Sequence, residues 1–103
     1  MKSIKLLTDL IDEEICDAEK YAKLALEYKE SNADVAQVFF QLAQEELKHM
    51  ATLHTTDVNI VKVHMNDSDP RTEGMKIAHE ILHERAMEKE KGVRILLDMY
   101  RGS

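Results

Sequence analysis

The chain has 103 residues, of which 44% are hydrophobic, 33% charged and 5% aromatic, which is typical of one globular domain spanning residues 1–103. Its net charge of −6 and its lack of a basic cluster exclude a nucleic acid partner, because phosphates would be repelled. The single cysteine, Cys16, excludes an intramolecular disulfide and favours a cytoplasmic setting. No apolar run approaches membrane-spanning length, and Asp9 and Asp12 come too early for a secretory signal, so we expect no membrane partner.

Helix breakers are rare, with one proline and three glycines among abundant Ala, Leu, Glu, Lys and Met. The sequence therefore predicts an all-α fold with helices at about 3–30, 34–65 and 71–100. Capping residues cluster at 31–34, and the segment 66–70 is the clearest break. The stretch 55–59 is a weak helix former, so a kink or an early end of the second helix is an alternative there.

The first helix has one apolar stripe at about 100° per residue. Its members are Ile4, Leu7, Ile11, Ile15, Ala18, Ala22 and Ala25. Glu14 lies within about 60° of the centre of this stripe, whereas the other acids fall near its edges or outside it. We therefore predict that Glu14 is the buried carboxylate of this helix. Tyr21 and Tyr28 continue its side of the stripe, so a tyrosine hydroxyl is expected about two turns from Glu14.

The second helix carries Glu46-Leu47-Lys48-His49 on its most apolar face. That face comprises Val35, Phe39, Leu42, Glu46, His49, Met50 and Leu53, and a second stripe of Ala36, Phe40, Leu47 and Val58 lies to one side. Burying a carboxylate with an imidazole is costly unless the pair is hydrogen-bonded, ion-paired or coordinated to a metal. The i, i+3 spacing puts both side chains on one face, as two ligands of one ion require. A hydrogen-bonded pair in a metal-free bundle is the alternative.

The third helix repeats the pattern as Glu80-Ile81-Leu82-His83. Its predicted apolar stripe is Met75, Ala78, Leu82, Val93, Leu96 and Tyr100, and Glu80 falls almost opposite. We therefore predict that Glu80 and His83 form a solvated pair, on a face that His79 also makes polar. His54 and His64 are expected at the surface or an edge.

Glu14, Tyr21 and the Glu46 to His49 tetrad together resemble the ferritin-like superfamily, especially rubrerythrin-like di-iron carboxylate proteins. In that family one helix gives a bridging glutamate and the next, antiparallel helix gives Glu-x-x-His. The spacing fits a hairpin, because Glu14 lies about 16 to 18 residues before the predicted turn and Glu46 about 14 after it. The resemblance covers about residues 4–55, roughly half of the chain.

The chain departs from the family in having one such hairpin and one further helix, which supplies half of the ligand set of a complete bundle. A homodimer would complete the four-helix bundle from two hairpins, as in the short encapsulin-associated ferritins that the chain resembles. The dimer, or a higher homo-oligomer built from it, would hold four carboxylates and two histidines. A truncated chain that lacks a fourth helix would look the same and would need no dimer.

The resemblance implies a di-iron site, or a di-manganese site, in which Glu14 and Glu46 bridge or chelate and each His49 binds one metal. It implies a ferroxidase or peroxidase type of oxidoreductase that oxidises Fe(II) with a small-molecule oxidant, dioxygen or peroxide, in iron handling or peroxide defence. Tyr21 would assist catalysis as a hydrogen-bond donor that orients a metal-bound carboxylate. The alternative function is a metal-free helical interaction or assembly protein with the same fold.

Overall fold

The computed structural model describes residues 2–64 and 70–102. These residues form three helices and no strand: α1 (Lys2–Tyr28), α2 (Ala33–His64) and α3 (Pro70–Arg101). The predicted all-α class is thus confirmed for this part of the chain, and each predicted helix end lies within two residues of the observed one. The molecule is elongated, measuring 56 × 18 × 16 Å, because α1 and α2 form a long antiparallel hairpin and α3 returns along α1.

The turn between α1 and α2 is closed by backbone hydrogen bonds and one side-chain cap. The Asn32 N–H donates to the Tyr28 carbonyl at 2.9 Å, and the Asn32 side-chain oxygen accepts from the Val35 N–H at 3.2 Å. This is the geometry of a helix N-cap, and it satisfies one of the free N–H groups at the start of α2. The turn fixes the register in which the two long helices pack.

The threonine-rich stretch of α2 continues as a regular helix to His64, so the alternative of an early end is wrong. The hydroxyls of Thr52, Thr55 and Thr56 each donate to the carbonyl oxygen four residues earlier, at 3.0 to 3.3 Å. These bonds satisfy the hydroxyls inside the helix, where they would otherwise compete for backbone groups. The predicted break at 66–70 lies mostly outside the described residues, and α3 begins at Pro70, a favoured first helical residue.

One hydrophobic core runs between the three helices. Its buried members are Ile11, Ile15, Ala18, Ala22, Ala25, Phe40, Ala43, Leu47, Met50, Val93 and Leu97. Small alanine side chains at the α1–α2 contact allow the two helix axes to approach closely. The core-facing side of α2 is therefore the stripe that contains Ala36, Phe40 and Leu47. The Glu46 face, which the sequence predicts as the most apolar face of α2, is mostly half buried.

The C-terminal half of α3 docks on the hairpin. Val93 is fully buried, and the Tyr100 ring packs on Phe40 with centroids 4.6 Å apart. The Tyr100 hydroxyl donates to Gln37 Oε1 at 3.1 Å. Lys89 donates to Asp12 at 3.0 Å, and this hydrogen bond raises the pKa of Lys89. These contacts place α3 on its own hairpin.

The N-terminal half of α3 leaves large apolar side chains in solvent. Four of these side chains are 39 to 52% exposed: Met75, Ile77, Ile81 and Leu82. The predicted stripe of α3 is thus right at Val93 and wrong at Met75, Ala78 and Leu82, which are exposed. No helix within the described residues is both long enough and apolar enough to cross a membrane.

Candidate metal centre

The hairpin brings Glu14 from the middle of α1 level with Glu46 and His49 from the middle of α2. His49 Nδ1 lies 3.5 Å from Glu14 Oε2 and 3.8 Å from Glu46 Oε1. One ligand atom from each of the three residues lies within 4.8 Å of the other two. The three residues singled out as metal ligands from the sequence therefore share one location. Their proximity follows from the turn, which leaves Glu14 and Glu46 at similar distances along the hairpin.

The site is half open to solvent. The Glu14 side chain is 24% exposed and the Glu46 side chain 18%, whereas the His49 side chain is 61% exposed. Glu14 is the least exposed carboxylate of α1 in the described structure, but it is half buried rather than buried as predicted. His49 is more exposed than predicted because α2 directs the neighbouring stripe, and not this one, at the core. A surface above His49 is thus uncovered in the single chain.

The two glutamates interact through hydrogen bonding and repulsion. Hydrogen bonding with Glu14, then burial, then the negative charge of Glu14 raise the pKa of Glu46 from 4.5 to about 7. His49 acts in the opposite direction, because a positive imidazolium favours the ionised carboxylate. At neutral pH the pair therefore carries less than two negative charges. A cation bound between the glutamates would favour the loss of the remaining proton.

The donor set suits a hard or borderline transition metal. Two carboxylates and one imidazole are ligands that iron and manganese accept in proteins. Glu14 Oε2 is buried and has no hydrogen-bond partner among the described residues, apart from its longer contact with His49 Nδ1 at 3.5 Å. Buried oxygens normally have a partner, so this atom has unused capacity to accept a hydrogen bond or to bind an ion. The three residues therefore fit a metal ion by both composition and unsatisfied bonding capacity.

Tyr21 lies on the same side of α1 as Glu14 and packs against α2 through its ring. The Tyr21 and Phe39 rings stack with centroids 6.2 Å apart and planes inclined by 18°, and Tyr28 also stacks with Phe39, with centroids 6.0 Å apart. These contacts are aromatic packing. The catalytic role expected for the Tyr21 hydroxyl remains a prediction.

The two residues of the second Glu-x-x-His pattern, Glu80 and His83, lie in different environments. Glu80 is exposed, as predicted, but His83 is partly buried and stacks on His54 of α2, with centroids 4.6 Å apart and planes inclined by 14°. His79, which the sequence placed on a solvated face, has a side chain only 11% exposed, and it contacts Asp57. The expectation of a solvated pair is therefore wrong for His83, and the expectation of a polar, solvated face is wrong for His79. His64 has no described side chain, so its expected position lies outside the described structure.

Asp57 is the polar residue that the sequence analysis missed. Only 3% of its surface is exposed, and it lies inside the stretch 55–59 that was interpreted solely as a weak helix former. A usable signal was present, because Asp57 follows His54 by three positions and His83 follows His79 by four, which puts each pair on one helix face. Two such pairs predict one shared cluster only when the two helices are known to pack together, and the spacing alone does not show that they do.

Comparison of the chain with protein-family models, with curated proteins and with solved structures finds no match in any of the three. The resemblance to ferritin-like proteins therefore depends on Glu14, Tyr21, Glu46, His49 and their spacing alone.

Proposed function

We propose that this chain is a di-iron or di-manganese carboxylate protein of the ferritin-like kind, and that it oxidises Fe(II) with dioxygen or peroxide. The observation that carries the proposal is the convergence of Glu14, Glu46 and His49, with one ligand atom from each within 4.8 Å of the others. The unsatisfied buried oxygen of Glu14 and the raised pKa of Glu46 support it, because both are relieved when a cation binds.

The metal site would be shared across a homodimer. Half-buried apolar side chains flank the site along both helices: Leu10, Tyr21 and Leu24 on α1, and Val35, Phe39, Leu42 and Leu53 on α2. A second copy related by a two-fold axis would bury this stripe and cover the exposed His49 ring. It would also bring four carboxylates and two imidazoles together, which is the donor set of a dinuclear centre.

Each residue has a distinct role in the proposed reaction. Glu14 and Glu46 hold the metal ions and balance the added positive charge as iron is oxidised, and His49 supplies one nitrogen ligand per subunit. Two Fe(II) ions lose one electron each. Dioxygen takes up two electrons and two protons to give hydrogen peroxide, or hydrogen peroxide takes up the same to give two water molecules. The flanking apolar side chains limit the access of water to the ions.

The test is metal analysis combined with oligomer mass. The chain is loaded anaerobically with Fe(II), separated by size exclusion with light scattering, and measured by elemental mass spectrometry. We expect about one iron per chain in a dimer or a multiple of it, the stoichiometry of one dinuclear site per pair of chains. Adding peroxide should then produce ferric absorbance at one peroxide per two iron ions.

Matched variants assign the iron to the proposed site. Glu46→Ala and His49→Ala should abolish iron loading and leave the oligomer intact. Glu80→Ala removes the glutamate of the second Glu-x-x-His pattern, which is exposed, and should load iron like the natural sequence. A dimer that binds neither iron nor manganese would disprove the proposal, as would equal loading in the Glu46→Ala and Glu80→Ala variants.

A metal-free assembly protein is the second candidate. The observation that favours it is the group of exposed apolar side chains on α3, in which Ile77 is 52% and Ile95 60% exposed. Single exposed apolar residues are ordinary, but several on one helix are typical of an interaction surface. On this alternative, the Glu46→Ala and His49→Ala variants would change only stability, and substitutions on α3 would change assembly.

A further inference from the structure

A second polar cluster lies between α2 and the N-terminal half of α3. Asp57 is the buried charged residue of the described chain, at 3% exposed. His79 Nε2 lies 2.5 Å from Asp57 Oδ2, and the His79 side chain is itself 11% exposed. An ionised carboxylate only accepts hydrogen bonds, so the His79 Nε2–H donates in this contact when Asp57 is charged. A carboxylate buried in this way is costly unless its remaining bonding capacity is used.

The other oxygen of this carboxylate, Asp57 Oδ1, is buried and has no hydrogen-bond partner among the described residues. The other acids that border the same cavity are paired, Asp12 with Lys89 at 3.0 Å and Asp9 with Lys5 at 3.0 Å. Asp57 is thus the acid of this cavity with unused capacity. A buried acceptor with unused capacity that borders a cavity with several imidazoles is a donor set that a cation could bind.

Three histidines border the same cavity as this carboxylate. His54, His79 and His83 line one cavity of about 260 Å³ together with Asp57. The His54 and His83 rings stack with centroids 4.6 Å apart and planes inclined by 14°. A neutral imidazole keeps a lone pair on one ring nitrogen, which is the form that binds a metal.

We propose that His54, Asp57, His79 and His83 form a binding site for one transition-metal ion of the zinc class, which ties α2 to α3. Each helix supplies two ligands on one face, through i, i+3 and i, i+4 spacings. Three imidazole nitrogens and one carboxylate oxygen complete a tetrahedral set. This set is richer in nitrogen than Glu14, Glu46 and His49, so it favours zinc over the hard ions suited to that centre.

Binding requires side-chain rotation and leaves the helices in place. Within the described residues, Glu14, Glu46 and His49 are the group whose ligand atoms already lie within 4.8 Å of one another. In the second cluster, the stacked rings must turn until a nitrogen of each faces Asp57. The contact between Asp57 and His79 must also widen, because each ligand atom lies about 2.0–2.2 Å from zinc. The cavity gives the rings room for this movement.

Cobalt titration provides the test, because tetrahedral Co(II) has an intense visible spectrum that six-coordinate Co(II) lacks. The chelator-treated full chain is titrated with Co(II) and then with Zn(II). We expect a tetrahedral spectrum at about one Co(II) per chain, its displacement by one equivalent of Zn(II), and a higher thermal midpoint with Zn(II). Absence of the tetrahedral spectrum and of stoichiometric Zn(II) binding in the natural sequence would overturn the proposal.

Variants separate this site from the Glu14 centre. His83→Gln should weaken Zn(II) binding by at least about 100-fold, the upper end of the loss caused by removing only a partner of a metal ligand. Glu46→Ala and Glu80→Ala should keep the tetrahedral spectrum, whether or not the chain oxidises iron. His54→Gln serves as a second ligand variant if His83→Gln loses helical circular dichroism. A spectrum that survives both histidine substitutions, or that disappears in Glu46→Ala, would refute the assignment.

Discussion

At the scale of single residues, the closeness of Glu14 and Glu46 makes stability depend on pH. The pKa of Glu46 in the folded chain is about 7, above its ordinary value of 4.5. Below pH 4.5 the carboxyl group is protonated in both the folded and the unfolded chain, so its raised pKa does not reduce the free energy of unfolding. As the pH rises towards 7, the unfolded chain releases this proton more readily than the folded chain does, and the folded state becomes less stable.

We therefore expect Glu46→Gln to stabilise the metal-free chain above pH 7. Glutamine keeps the shape of the side chain and removes the charge that Glu14 opposes. The gain in thermal midpoint over the natural sequence should grow between about pH 4.5 and 7 and then level off. Thermal unfolding followed by circular dichroism in the presence of a chelator, at several pH values, measures this difference.

Glu45→Gln is the matched control for this prediction, because Glu45 is the preceding residue and its side chain is exposed. Its thermal midpoint should follow that of the natural sequence at every pH. A gain for Glu46→Gln that is the same at pH 5 and pH 8 would show that the ionisation of Glu46, with loss of its hydrogen bond to Glu14, is not the cause.

Glu46 and His49 could be found from the sequence because a carboxylate and an imidazole rarely share the apolar face of a helix. This signal does not depend on how exposed that face is. Glu46 and His49 met that condition, and the turn near Asn32 allowed Glu14 to be placed at the same level. Asp57 and His79 could not be found in this way, because their burial depends on how α3 crosses α2. That crossing is a tertiary contact that helical periodicity does not contain.

At the scale of elements, the three helices were predictable because breakers are rare and their ends carry clear caps. The face that each helix turns towards the core was harder to predict than the helix itself. α2 has two apolar stripes, and the core takes the one with Ala36 and Ala43, whose small side chains permit close packing with α1. Hydrophobicity alone favoured the other stripe, which contains Phe39 and Leu42, because it does not measure the space available between two helices.

The docking of α3 depends on a few buried side chains, so we expect Val93→Ala to destabilise the chain by about 2 kcal/mol. Val93 is fully buried against the hairpin, and its truncation removes two methyl groups and leaves a cavity. Chemical denaturation at constant pH measures the change in the free energy of unfolding.

Ile95→Ala is the control in the same helix, since Ile95 is 60% exposed. It should change the free energy of unfolding by less than about 0.5 kcal/mol. Equal losses from the two substitutions would mean that α3 does not pack on the hairpin in solution through Val93.

At the scale of the whole molecule, the chain is a rod of 56 × 18 × 16 Å with one shared core. A rod this thin leaves much of each helix uncovered, and the uncovered side of the hairpin is the one that carries Glu14, Glu46 and His49. The proposed two-fold partner would therefore change two properties together, namely the area of apolar surface in water and the number of ligands around the metal. Metal loading should then be coupled to oligomerisation in one direction, because the partner supplies half of the ligands, whereas burial of the apolar stripe holds the dimer together without metal.

Leu42→Lys tests this coupling. Leu42 is half buried and lies one turn before Glu46 in the stripe that the partner would cover. A lysine there would put an unpaired charge in the interface, so the dimer should dissociate. Iron per chain should fall in parallel, although Glu14, Glu46 and His49 are all unchanged.

Gln41→Lys adds the same charge at the neighbouring exposed position, on another side of α2, and should leave both the mass and the iron content as they are. Light scattering and elemental analysis of the same fractions measure both quantities. If Leu42→Lys gives a monomer that still holds iron as tightly as the natural sequence, each chain binds its metal alone, and the shared site is refuted.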